Sequence, residues 1–184
     1  VQALHNILSL CVGILEELPE EKEYVFALTK YVKNQAQYWH IQTANQQYGD
    51  LYWKAMLVEA PHLFDSYLLY LEKNREESEK FYEPKRDILI KHGLIQALQD
   101  LEDDKLDLLS ISMPPGTQKT TLEKFFCSWI IGKYPKDYSL FFSHSSDITD
   151  MFYRGVLDIT TDALEYTWGE IFPNVTLQAT NAKA

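Results

Sequence analysis

The sequence predicts an α/β protein in which a helical N-terminal region precedes alternating strands and helices. Up to residue 80, apolar residues recur at the spacing of amphipathic helices. Beyond residue 105, short apolar segments alternate with helical segments in the order β-α-β-α-β. Strands joined in this way almost always pair in parallel, so the order predicts a parallel sheet. We therefore divide the chain into a helical region, 1–80, and an α/β region, 81–184.

The helical region is predicted from apolar residues that share one face of each helix. These faces comprise Leu4, Ile7, Leu8, Cys11, Val12 and Leu15; Val25, Leu28, Val32, Ala36 and Trp39; and Leu63, Phe64, Tyr67, Leu68 and Leu71. The charged run Glu72–Lys80 predicts a solvated segment at the end of the region. Another helix is expected from Pro84 to about Asp103, ahead of the first strand.

The first predicted strand, Leu106–Ser112, is followed by a tight loop, Met113–Thr121, and an amphipathic helix. This order is typical of a phosphate-binding loop (Walker A, or P-loop), whose backbone N–H groups surround phosphate oxygens at the start of a helix. Lys119 would reach the β- and γ-phosphates and take part in catalysis, and Thr120 would offer its hydroxyl to Mg²⁺. The region is therefore predicted to be a partial P-loop NTPase.

The loop departs from the usual pattern G-x-x-x-x-G-K-[ST]. Met113 and Gln118 stand where that pattern has its two glycines, and Gly116 lies inside the loop instead. A Cβ at Gln118 can crowd a phosphate or strain the backbone, since glycine is the residue that tolerates unusual φ values. The alternative interpretation is a proline-rich turn that joins a buried strand to a buried helix.

The rest of the predicted sheet follows the helix of this loop. Gly132 is expected to cap that helix at its C-terminus, and Tyr138–Ser143 is expected to form the second strand. Another helix is predicted after Ser145, and Val175–Leu177 is a candidate third strand.

Composition limits the classes of function. The net charge of −10 and the pI of about 4.9 disfavour a broad nucleic-acid-binding surface. Cys11 and Cys127 lie far apart in apolar helical patterns, so we expect buried free thiols and no metal site between them. Neither a signal peptide nor a stretch apolar enough to span a bilayer is evident, so we expect an intracellular protein.

Several segments together resemble the ATPase end of bacteriophage and prophage large terminase subunits. They are FYEPKR at 81–86, the run 97–135 around the loop, and FFSHSSDITDMFYRGVLDI at 141–159. The segment Leu51–Asn74 resembles the helical part that precedes this ATPase in one branch of the family. The likeness lies in the order and spacing of these segments, and it covers the chain from about Leu51 onward.

The resemblance implies the ATP-binding part of a motor that couples ATP hydrolysis to the translocation of double-stranded DNA into a procapsid. ATP and Mg²⁺ are the implied cofactors, and the small terminase subunit and the portal protein are the implied partners, in the cytoplasm of an infected or lysogenic bacterial host. Tyr82, Pro84 and Arg86 would lie near the adenine. The phosphates would be held by Gly116, Thr117, Gln118, Lys119, Thr120 and Thr121.

The strand ending in paired acids that would organise Mg²⁺ in such an ATPase does not occur in these 184 residues, so we expect a fragment that hydrolyses ATP negligibly by itself.

Two further hypotheses remain open at this stage. The first alternative is a helical protein-interaction or assembly module with a vestigial P-loop, which the long N-terminal helices and the acidic charge favour. The second is a small-molecule kinase, which would need a cleaner glycine loop and a lid arginine cluster.

Overall fold

A computed structural model of the chain describes residues 1–177, and every regular element in that range is a helix. The α-helices are α1 (Gln2–Glu17), α2 (Lys22–Thr43), α3 (Gln46–Glu59), α4 (Phe64–Leu71), α5 (Arg86–Lys91), α6 (Leu94–Glu102), α7 (Lys119–Lys133), α8 (Ser146–Thr161) and α9 (Trp168–Ile171). Short 3-10 helices, Pro19–Glu21 and Glu83–Lys85, precede α2 and α5. Over the same residues, none of the helices combines the length and apolar character that crossing a membrane requires.

The predicted parallel sheet, and with it the partial P-loop NTPase fold, is wrong. The three predicted strands, 106–112, 138–143 and 175–177, all lie in the described part of the chain, and none of them forms a β-ladder there. An extended segment leaves its backbone N–H and C=O groups unused until a neighbouring strand pairs with it. A short apolar run therefore marks a candidate strand without guaranteeing that a partner strand exists.

The chain divides into two compact units. The first unit contains Val1–Tyr70 and Phe81–Ile95, and the second contains Leu71–Lys80 and the chain from Gln96 onward. The boundary at residue 80 that the sequence suggested stays a prediction.

The first unit is built on α1, α2 and α3, whose apolar faces pack together. Its core contains Leu4, Leu8, Val32, Ala36, Leu51 and Ala55. The predicted apolar faces are confirmed at Leu4, Leu8 and Cys11 of α1 and at Val25, Val32 and Ala36 of α2, which are buried. Val12 and Trp39, predicted on the same faces, are instead 41% and 43% exposed. Ala44 ends α2 in a left-handed conformation, and the side chain of Asn45 caps α3 by accepting a hydrogen bond from the amide N–H of Gln47 at 3.0 Å.

The second unit contains α7, α8 and α9. Leu122, Phe125 and Trp129 of α7 are buried, as the helical spacing predicts, and the indole N–H of Trp168 donates to the carbonyl oxygen of Ser128 at 2.9 Å. Gly132 does not cap α7 as predicted, because that helix continues to Lys133. Gly132 instead leaves room for the Phe172 ring, which would lie 2.3 Å from a Cβ at this position.

Both cysteines are free thiols, as predicted. Cys11 is buried in the first unit, and Cys127 is half-buried in the second. Burial, and secondarily the carboxylate of Glu123, raises the pKa of the Cys127 thiol to about 11. The thiolate is therefore disfavoured at neutral pH, and Cys127 is expected to be a poor nucleophile.

Candidate functional site

The loop predicted to bind phosphate is an exposed turn that leads directly into α7. Gly116 and Gln118 have φ values of 81° and 61°, in the left-handed region. The hydroxyl of Thr117 donates to the carbonyl oxygen of Pro114 at 2.8 Å, which closes the turn. The backbone at residue 118 thus has the conformation for which glycine is suited, as the P-loop pattern would require, but a glutamine occupies it.

The residues predicted to contact phosphate occupy the first turn of α7 and the preceding loop. Lys119 and Thr120 are exposed, and within residues 1–177 their side chains make no hydrogen bond or ion pair. Thr121 is half-buried, and its amide N–H donates to the carbonyl oxygen of Gln118 at 3.0 Å. Amides at a helix start are suited to anions, but the paired strand that should support this loop is missing from the described chain. Its ATP, Mg²⁺ and catalytic assignments stay predictions.

Tyr82 and Arg86, predicted to lie near an adenine, belong to the first unit and converge on Asp65. The Tyr82 hydroxyl donates to Oδ1 of Asp65 at 2.5 Å, and Nε and Nη2 of Arg86 donate to Oδ1 and Oδ2, each at 2.8 Å. Burial acts to raise the pKa of Asp65, but the hydrogen bonds from Arg86 and Tyr82 outweigh it and lower the pKa. Sequence reasoning missed Asp65, because one acid in an apolar helix gives no signal of its distant partners.

The segment 138–142 in the second unit has no regular secondary structure and presents large apolar side chains to solvent. Tyr138, Leu140 and Phe142 are 99%, 82% and 85% exposed. Phe141, which lies between Leu140 and Phe142, is 37% exposed and stacks on the buried ring of Phe152 in α8, with ring centroids 3.8 Å apart. This contact attaches the segment to α8, while Leu140 and Phe142 on either side of it stay open to solvent.

The segment 106–112 of the same unit shows a weaker form of this pattern. Leu108 is 83% exposed, whereas its neighbour Leu109 and Ile111 are half-buried. Within the described chain, the backbone groups of 107–112 and of 138–142 make no backbone hydrogen bonds. Each segment therefore combines unused backbone donors and acceptors with exposed apolar side chains. These properties are typical of a strand that lacks its partner.

A buried carboxylate in the first unit forms a second polar cluster that the sequence did not reveal. Glu59 is 1% exposed and accepts hydrogen bonds from Thr29 Oγ1 at 2.6 Å, Lys33 Nζ at 2.6 Å and Ser66 Oγ at 2.5 Å. A buried charge of this kind is tolerated only when it is paired and hydrogen-bonded, as it is here. No group of three or more His, Cys, Asp or Glu suited to a metal ion occurs in residues 1–177.

Comparison with protein-family models, with curated proteins and with solved structures finds no match to this chain. Function is therefore inferred from the residues and their geometry, together with the resemblance of the sequence segments described above.

Proposed function

We propose that this chain is a helical protein-interaction or assembly module whose phosphate-binding loop is vestigial. The observation that supports it best is the exposed side chains of Tyr138, Leu140 and Phe142 on a backbone that makes no backbone hydrogen bonds within the described chain. A second segment without regular secondary structure, 107–112, likewise makes no backbone hydrogen bonds within the described chain. Large apolar side chains grouped on an exposed surface mark interaction sites in proteins.

The partner that fits these segments is a protein with an extended strand or an open sheet edge. Strand addition would satisfy the backbone donors and acceptors of 138–142 and would cover Leu140 and Phe142 at the same time. The net charge of −10 disfavours duplex DNA as the direct partner of this chain. The resemblance to large terminase subunits supplies the candidates: the small terminase subunit and the portal protein, in the cytoplasm of a bacterial host.

The experiment that tests this proposal measures binding of the 184-residue chain to a bacteriophage small terminase subunit and to a portal protein. We expect a specific complex with one of them by light scattering, and at least a tenfold loss of affinity in Leu140→Ser combined with Phe142→Ser, because interface anchors contribute on the order of 2 kcal/mol or more. Ile41→Ser is the matched control, since Ile41 is also an exposed apolar residue but lies in α2. Equal affinity in all three proteins would refute the proposal.

ATP binding at the loop before α7 is the second candidate function. Its support is the left-handed backbone at Gly116 and Gln118, next to the exposed Lys119. This candidate corresponds to the ATP-binding part of a DNA-packaging motor, with Thr120 as the Mg²⁺ ligand. Calorimetry with ATP and Mg²⁺ tests it: binding that is lost in Lys119→Ala but retained in Lys136→Ala supports it, and the absence of binding excludes it.

A further inference from the structure

The first unit contains a pocket of about 350 Å³ that plays no part in the proposed interaction. Helix α2 forms one wall through Phe26, Lys30, Lys33, Asn34 and Gln37, which recur at helical spacing on one face. The opposite walls are formed by residues of α3 and α4, by Leu63 just before α4, and by Arg86. The volume lies within the range of small-molecule sites, near its lower end.

The two carboxylates of this pocket are already occupied by the protein itself. The Glu59 carboxylate accepts three hydrogen bonds, including one from Lys33, and the Asp65 carboxylate accepts from Tyr82 and from two nitrogens of Arg86. The pairs Lys33–Glu59 and Arg86–Asp65 are each neutral overall. Neither carboxylate therefore leaves the pocket with a net negative charge.

Other polar side chains of the pocket, by contrast, are available, and one of them is a cation. In residues 1–177, the side chains of Lys30, Asn34, Gln37 and Tyr52 line the pocket and make no hydrogen bond or ion pair. Because each of the two ion pairs is neutral, the ammonium group of Lys30 gives the pocket a net charge of one positive. The remaining lining is apolar and comprises Phe26, Met56, Leu63 and Leu69. The pocket therefore offers one cation and several neutral donors next to an apolar surface.

We propose that this pocket binds a small organic monocarboxylate. A carboxylate accepts hydrogen bonds only, so it complements the ammonium of Lys30 and the side-chain amides of Asn34 and Gln37. Its single negative charge balances the surplus charge of Lys30. Its body, an aromatic ring or a short aliphatic chain, occupies the apolar part of the pocket near Met56 and Leu69. The site lies wholly within the first unit.

Titration of the 184-residue chain with phenylacetate, followed by NMR and calorimetry, tests this inference. We expect saturable binding at one site, with chemical-shift changes at Tyr52 and Asn34. Benzyl alcohol, which lacks the charge, and inorganic phosphate, which lacks the apolar body, are each expected to bind at least about threefold more weakly. The inference is overturned if phenylacetate does not bind, or if either of these compounds binds as well as it does.

Matched variants locate the site within the chain. Lys30→Gln should weaken phenylacetate binding about threefold, the effect expected for one ion pair at an exposed position, whereas Lys54→Gln on α3 should leave it unchanged. Gln37→Glu should also weaken binding, because it places a negative charge beside the carboxylate, and Gln47→Glu is its control. All of these positions are exposed, so the fold is retained. Equal affinity in each variant and its control would assign binding to another site.

Discussion

The ring of Phe141 lies flat against the ring of Phe152, with centroids 3.8 Å apart and planes 5° from parallel. This contact joins the segment 138–142 to α8 in the second unit. Leu140 and Phe142, the two neighbours of Phe141, are exposed. The interaction surface proposed above therefore lies directly beside the residue that attaches its segment to α8.

The first prediction compares the stability of a variant at Phe152, which Phe141 contacts, with that of a variant at the exposed Phe142. Phe152→Ala should destabilise the protein by about 3 kcal/mol, because Phe152 is buried and its removal leaves a cavity against Phe141. Phe142→Ala, one position along from Phe141, should change stability by less than about 0.5 kcal/mol, because its side chain is exposed. Urea denaturation followed by circular dichroism gives both values. Similar losses in the two variants would show that Phe142 is packed rather than exposed.

The second prediction concerns Gly132 in α7. Alanine there should destabilise the protein by about 1–3 kcal/mol, because its Cβ would overlap the buried ring of Phe172. The control is Gly13→Ala in α1, where no atom lies within 4 Å of the added Cβ. That change should stabilise the protein by about 0.5–1 kcal/mol, since alanine favours helix over glycine. Thermal denaturation of the two variants should therefore shift in opposite directions, and a gain in Gly132→Ala would contradict the packing described here.

The third prediction concerns the buried Glu59. Lys33→Met should destabilise the protein by about 3 kcal/mol, because it leaves the carboxylate buried without its cation. Adding Glu59→Leu to that variant should recover much of the loss, since the unpaired charge is then removed. Lys54→Met, at an exposed position of α3, is the control and should have an effect below about 0.5 kcal/mol. Additive losses in the double variant would show that Lys33 and Glu59 are not coupled.

The fourth prediction concerns pH and Asp65. The pKa of Asp65 is lowered in the folded protein: its hydrogen bonds from Arg86 and Tyr82 outweigh the effect of burial. A lowered pKa contributes stability at pH values above the unfolded-state pKa, which is near 4, and this stability is lost as pH falls through the folded-state value. Asp65→Asn should thus be less stable than the wild type at pH 7, and the difference should shrink below about pH 4.

Denaturant unfolding of both proteins from neutral to acidic pH measures that difference. Asp150→Asn makes the same chemical change at an exposed carboxylate, whose 3.6 Å ion pair with Arg154 is itself exposed and contributes little, so it reports mainly the effect of net charge. A difference between Asp65→Asn and the wild type that stays constant down to the lowest pH would contradict the linkage.

The fifth prediction concerns the left-handed residue Gln118. Gln118→Gly should stabilise the protein by about 0.5 kcal/mol or more, because φ is 61° there and glycine adopts such values without a steric cost. Gln118→Val should destabilise it, since a β-branched side chain tolerates this region poorly. If the loop binds ATP, Gln118→Gly should also bind it more tightly than the wild type. Calorimetry measures the affinity for ATP, and denaturation measures the stability of the protein, so the two effects are measured separately.

Helical faces could be predicted from the sequence more reliably than polar partnerships. Leu4, Leu8, Val32 and Ala36 were assigned to apolar faces by their spacing, and all are buried. The convergence of Tyr82 and Arg86 on Asp65 spans 17 and 21 residues, and no local pattern encodes it. The same holds for Glu59 and its donors Thr29 and Lys33. Burial of an acid depends on where its helix packs, which one amphipathic pattern does not specify.

What the sequence by itself determined about this protein is its helices, because each helix forms its backbone hydrogen bonds within one short segment and its apolar face repeats within that segment. It also marked the segments 106–112 and 138–143 as apolar candidates for strands. Only the tertiary structure decided that these segments remain unpaired over the described residues and that Gly132 makes room for Phe172. The physical reason is the same in both cases, because strand pairing and close packing join residues that are distant along the chain. A local pattern does not specify whether such a distant partner is present.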